Sequence, residues 1–256
     1  MDHKQSRFSL KVIILIGLFS AICYVALFFK IPIPSPVGNP FLHMGNMFVI
    51  LAALLFSGTI GGLSGSIGMG FFDLMNGYVD SVPKTALLKL GIGLITGLIA
   101  SKGHNKAAKS PLKWIALAAT VCILAGLALL AVSLTFGNEI AIQGIEKKFV
   151  VIPMLYIFSF LLGIGLSITC VFIKKLSIKL QYAIIGAVAG IAFNLLGEFL
   201  FGTLKLLLVG STFVPAVIGS AISLPATLIN GVFSIIVAII LYIPLSKILE
   251  KMHLGI

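Results

Sequence analysis

Long apolar runs, separated by short polar or basic segments, set the pattern of this 256-residue chain. Eight runs read as candidate membrane spans at roughly 20 residues per crossing: 11–30, 42–57, 59–78, 84–101, 113–135, 150–173, 181–205 and 217–246. They are continuous rather than alternating, so they predict helices and not the strands of a barrel. The second run is short, and Ser57-Gly58-Thr59 supplies the turn that would join it to the third as a tight helical hairpin. Between the first two runs, Ile31-Pro32-Ile33-Pro34-Ser35-Pro36 and then Gly38-Asn39-Pro40 predict an extended, stiff segment, because proline fixes φ and removes a donor. That segment reads as a plain loop or as a lid.

The basic residues orient the spans. With the N-terminus inside, Lys4, Arg7, Lys11, Lys102, Lys106, Lys109, Lys113, Lys174, Lys175, Lys179, Lys247 and Lys251 face the cytoplasm, whereas Lys30, Lys84, Lys147, Lys148 and Lys205 lie outside. The bias is 12 against 5, with Lys89 left within a span. An even number of spans with both termini cytoplasmic satisfies the positive-inside rule.

Polar residues inside the spans fall at helical spacing and favour the outer half. Asp73 and Asn76 share a face of the third span, and Lys89, Gly93 and Gly97 share one of the fourth. Gly190, Asn194, Gly197 and Glu198 line the seventh; Ser220, Ser223, Thr227, Asn230 and Ser234 line the eighth; His43 and Asn46 begin the second. Ionisable groups are costly in hydrocarbon and normally mark a ligand or ion site. A cluster confined to the outer half predicts a pocket for a small polar molecule, closed from below, rather than a conducting column. The candidate binding residues are Asn46, Asp73, Asn76, Lys89, Asn194, Glu198 and Asn230. Structural alternatives stay open. Asp73 and Lys89 can pair as interhelical glue, Asn194 and Asn230 can bond neighbouring helices, His43 reads as a solvated cap, and Tyr78 fits an interfacial aromatic. Glu198 has Lys89 or Lys205 as its evident cationic partners.

Composition narrows the class. The chain is 59% hydrophobic and 10% charged, and its mean hydropathy is +1.19. That describes an all-α polytopic membrane protein. The net charge of +11 resides in short loops as an orientation signal, so nucleic acid is not the expected partner. The apolar run from Val12 to Phe29 is too long for a signal-peptide core and reads as an uncleaved first helix. Cys23, Cys122 and Cys170 lie in apolar runs without metal-ligand spacing, and no metal or cofactor is expected. The run from Gly61 to Gly70 and the pairs Gly93/Gly97 and Gly186/Gly190 predict close helix contacts. Gly17, Ala21 and Val25 give the first span a small face suited to docking a membrane helix, either internal or from a partner.

Several of these residues also carry a resemblance. The stretch from His43-Met44-Gly45-Asn46 to Phe56, the glycine-rich Gly61 to Gly70, Phe72-Asp73-Leu74-Met75-Asn76-Gly77-Tyr78, then Pro83-Lys84-Thr85, Lys89 and Gly91-x-Gly93 resemble the substrate-binding S components of energy-coupling factor (ECF) vitamin transporters. Pro225 to Gly231 is a looser second match. The His-x-Gly-Asn and Phe-Asp-Leu elements look most similar to the hydroxymethylpyrimidine/pyridoxine-like branch. The resemblance implies an S-component-like helical bundle with a six-helix core, here one integral membrane domain over 1–256 with an inserted helix pair at 113–173. It also implies a binding subunit in the cell membrane that captures a small B-vitamin or precursor, such as pyridoxine or hydroxymethylpyrimidine, and topples to deliver it inward. The implied partners are an ECF transmembrane scaffold and ATP-binding subunits, with Gly17, Ala21 and Val25 where the family carries its docking surface. No Walker A motif is present, so ATP hydrolysis would lie on those partners.

The main alternative is a stand-alone, proton-coupled secondary transporter using Asp73, Lys89 and Glu198; the lack of matching Gly/Pro-broken repeats in the two halves counts against it. No H-E-x-x-H, G-x-S-x-G or paired-glutamate motif supports an intramembrane enzyme.

Overall fold

A computed structural model gives the architecture and describes residues 9–32, 41–105, 107–137, 139–140, 149–150 and 152–252. The proline segment from Ile33 to Pro40, with the proposed lid, lies outside the described residues, as do Lys4, Arg7, Glu146, Lys147 and Lys148. Eight α-helices occur among the described residues: α1 Leu10–Ala26, α2 Gly45–Leu55, α3 Gly58–Met75, α4 Val82–Ser101, α5 Leu112–Phe136, α6 Ile152–Ile173, α7 Ile178–Leu208 and α8 Phe213–Lys251. The chain is an all-α polytopic membrane protein. Among the described residues, four stretches are long and apolar enough to cross a bilayer: Val79–His104, Leu112–Thr135, Ile178–Leu208 and Phe213–Lys251.

Some predicted boundaries move. α1 stops at Ala26 rather than residue 30, because Lys30–Pro32 (β1) pairs antiparallel with Phe41–His43 (β2). α2 has only 11 residues, or about 16 Å at 1.5 Å per residue, roughly half a bilayer core. The predicted hairpin turn is present: the Ser57 hydroxyl accepts from Ile60 N at 3.3 Å and caps α3. α4 begins two residues earlier than predicted, with Pro83 in its first turn, where the missing N–H costs nothing. α8 runs through Pro225 and Pro244.

The chain divides into two compact units, 1–105 with 182–256, and 106–181. In the first, α3 is central and packs on α1, α2 and α4, while α2 also meets α4 and α8. Glycine makes this possible. A Cβ on Gly93 would strike the Gly62 backbone, and one on Gly61 would come within 2.6 Å of the Val49 carbonyl. Where no hydrophobic drive separates lipid from helix, such close approach is what holds helices together. α4 runs antiparallel to α7, whose Gly186 and Gly190 seat on Thr96 of α4. The second unit is the α5–α6 pair, joined through the short strands Glu139–Ile140 (β3) and Phe149–Val150 (β4). Gly126 lies against the Phe160 ring, and the Ser110 hydroxyl donates to Gln181 Oε1 at 2.6 Å.

Candidate functional site

The polar groups of the first unit gather around the first two turns of α4. Gly77, with φ +82°, ends α3, and the Tyr78 N–H turns back onto the Asp73 carbonyl at 2.8 Å. This left-handed cap starts the reversal into α4. It places Asp73 opposite Thr85, whose hydroxyl donates to Asp73 Oδ2 at 2.5 Å. On the α7 side, Lys84 Nζ donates to Glu198 Oε2 at 2.8 Å, and Lys89 Nζ donates to Asn194 Oδ1 at 3.0 Å. The two rungs are ordered by exposure: the Lys84 and Glu198 side chains are 30% and 26% exposed, whereas Lys89 and Asn194 are 5% and 2% exposed. Glycine at position 65 leaves room for the Lys89 stem, since a Cβ there would lie 3.1 Å from Lys89 Cβ.

A second polar set lies where α2 meets α8. Asn230 Oδ1 accepts from the His43 backbone N–H at 3.3 Å, and His43 Nδ1 accepts from Gly45 N–H at 3.2 Å. The imidazole therefore carries its neutral-form proton on Nε2. Desolvation, and secondarily the Lys89 charge, push the His43 pKa down from 6.5 to about 3. Asn46 is buried, and its Oδ1 has no hydrogen-bond partner. A buried acceptor left open this way costs about 1–3 kcal/mol, so it is a natural seat for a ligand donor.

Asn46, Asp73, Lys89, Asn194, Glu198 and Asn230 thus sit on packed elements of one unit. Asn76 is different: it is exposed, and its Nδ2 is spent on the Phe72 carbonyl at 2.9 Å, closing the end of α3. The Asp73–Lys89 pairing is replaced by Asp73–Thr85 and Lys89–Asn194. Glu198 pairs with Lys84 rather than Lys89 or Lys205. His43 is tied into the cluster and is not a solvated cap. Tyr78 is 45% exposed, as an interfacial aromatic would be. Lys84 and Thr85 are not read as partners from the sequence: Lys84 counts there as an outer-side charge, and Thr85 carries no signal of its partner. Along α8, the Ser223 and Ser234 hydroxyls fold back onto the Ser220 and Asn230 carbonyls, which satisfies them locally.

Among the described residues, the Gly17, Ala21 and Val25 face of α1 is uncovered. A Cβ on Gly17 would meet nothing within 4 Å. Ala21 and Val25 line an open, apolar groove of about 380 Å³, together with Leu18, Phe29, Met44 and Phe48. Among the described residues of the first unit, no helix packs against that face.

Comparison with known proteins agrees with the helical pattern. The profile of the family described as "ECF-type riboflavin transporter, S component" matches residues 7–155, more than half of the chain. That interval contains the residues 42–99 that carried the resemblance, while the loose match at Pro225 to Gly231 falls outside it. The profile supports the S-component expectation but not the hydroxymethylpyrimidine/pyridoxine-like branch. The family is one of transporter components, not of enzymes. An "Uncharacterized protein in gap 3'region" from Pyrococcus woesei is 32% identical over 83 residues, which are 32% of this chain and 53% of that protein. The chain therefore spans about half the length of that curated relative. No solved structure matches significantly. The family match, spread over most of the helices that build the polar cluster, shows that the chain belongs to the S components of ECF-type riboflavin transporters.

Proposed function

We propose that this chain is the membrane-embedded binding subunit of an ECF-type importer. It captures a small vitamin from outside and hands it inward through a transmembrane scaffold and ATP-binding subunits. The observation that carries this is a lysine, Lys89, held by Asn194 inside an apolar helical bundle whose same unit also holds the open acceptor of Asn46. Such groups inside a membrane protein normally serve a ligand. The family's name points to riboflavin as the ligand, a heteroaromatic with hydroxyls suited to amide and ammonium donors. Lys89, Asn194, Asn46 and Asn230 are the proposed contacts, with Asp73 and Glu198 at the more exposed rim. Both termini face the cytoplasm, which puts the cluster in the outer half of the membrane. The bare Gly17, Ala21 and Val25 face of α1 is the proposed scaffold contact, and α5–α6 is the proposed inserted pair.

Two measurements test this. Purified protein should quench riboflavin fluorescence at low stoichiometric concentration, and mass spectrometry should find a flavin among co-purifying small molecules. A pyridoxine or pyrimidine ligand instead would reassign the substrate while keeping the subunit role. Uptake by vesicles holding this chain alone, driven by a pH gradient, would refute the importer-subunit role in favour of a secondary transporter.

A further inference from the structure

Lys89 and Asn194 are buried, so no solute reaches them in this conformation without movement of a cross-helix contact. The Lys84–Glu198 ion pair is such a contact. It joins the same two helices, α4 and α7, and is the more exposed of the two rungs. Five residues along α4 and four along α7 separate the rungs, about 6–7.5 Å at the helical rise. On its other flank, α4 is held by Thr85 to Asp73 of α3, and the α3–α4 backbones touch at Gly62 and Gly93. The α3 side of α4 is therefore fixed, and on the α7 side the partly exposed ion pair lies beyond the contact of Leu88 with Gly197 and the buried rung.

We propose that Lys84 controls access to the binding cluster, its ion pair with Glu198 acting as a latch that opens to admit the ligand and closes after it. This rests on the proposed binding function and deepens it. An ion pair this exposed is weak, so it can open on the timescale of side-chain motion; it slows traffic without setting affinity. Lys84 is thus a positioning residue, not a ligand contact. A latch changes arrival and departure together, because it lies on the path and not at the destination.

Stopped-flow riboflavin quenching on the full chain in detergent tests this. In Lys84→Met, association and dissociation rates should both rise, by up to about fivefold, with Kd within about twofold of the parent. Lys84→Arg should restore the parent rates. In the parent, association should accelerate with rising ionic strength, because riboflavin is uncharged and salt acts on the latch; Lys84→Met should be insensitive. The salt series on the parent alone decides the matter should Lys84→Met fail to fold. Unchanged rates in Lys84→Met with a flat salt series in the parent would overturn the latch. So would a tenfold loss of affinity carried by dissociation alone, which would make Lys84 a ligand contact. Absence of any flavin binding by the parent would instead remove the proposed function, and the latch with it.

Discussion

Removing either half of the Lys89–Asn194 pair should have unequal consequences. Asn194→Leu takes away the 3.0 Å acceptor and leaves an ammonium 5% exposed among apolar side chains. An uncompensated buried charge of this kind costs about 3–5 kcal/mol. Lys89→Met removes the charge along with its burial penalty and leaves one unsatisfied amide oxygen, about 1–3 kcal/mol. The double variant retains neither charge nor orphan acceptor and should be more stable than Asn194→Leu alone, with a coupling of about 2 kcal/mol or more. Equilibrium unfolding of the four proteins in one detergent, followed by circular dichroism, closes the cycle. Strictly additive losses would mean that the two side chains do not interact in the folded protein. Riboflavin titration of the same set adds the functional arm: Lys89→Met should bind at least about tenfold more weakly, about 1.4 kcal/mol. Unchanged affinity would take Lys89 out of the site.

Other outcomes follow from the same geometry. Gly93→Leu should abolish monodisperse folded protein on size exclusion, because its side chain would enter the Gly62 backbone. At Gly17 an added Cβ meets nothing within 4 Å among the described residues, so Gly17→Leu should fold and bind flavin normally, yet lose co-purification with scaffold and ATPase subunits; retained co-purification would move the docking face elsewhere. His43 lies in the β1–β2 hairpin, outside the helical spans, with its pKa lowered from 6.5 to about 3. A depressed histidine pKa means that the unfolded chain takes up a proton below pH 6.5 while the folded protein does not until near pH 3. Stability should therefore fall across that window, and the Tm of the parent should drop more steeply with acid than that of His43→Gln. Parallel curves would show that His43 is hydrated in the folded protein.

The helices were legible because hydropathy and glycine spacing act locally. The runs around 84–101, 113–135 and 150–173 lie within a few residues of α4, α5 and α6. The polar positions were legible too, since Lys89, Asn194 and Glu198 interrupt apolar faces at helical spacing. Their partners were not. Which carboxylate meets which lysine depends on how far α7 slides along α4, and that register is set by Gly186 and Gly190 seating on Thr96. A shift of one turn would bring Glu198 toward Lys89, one of the two partners the sequence offered it. The end of α1 was misplaced for a similar reason: Lys30–Pro32 leaves the helix to pair with a segment about ten residues later, and hydropathy carries no record of such pairing. Asn46 was a candidate from the sequence, but that burial leaves its carbonyl oxygen without a hydrogen-bond partner is visible only in three dimensions.

The uncovered stripe on α1 has an energetic corollary. Acyl tails and aliphatic side chains solvate it about equally well, so leaving it bare costs the lone protein little and covering it yields little from water release. Any helix that settles there is retained by contour, through contacts worth about 0.1–0.2 kcal/mol per atom pair. Attachment of that kind is readily undone, and a single added side chain at the flattest point would be enough to prevent it.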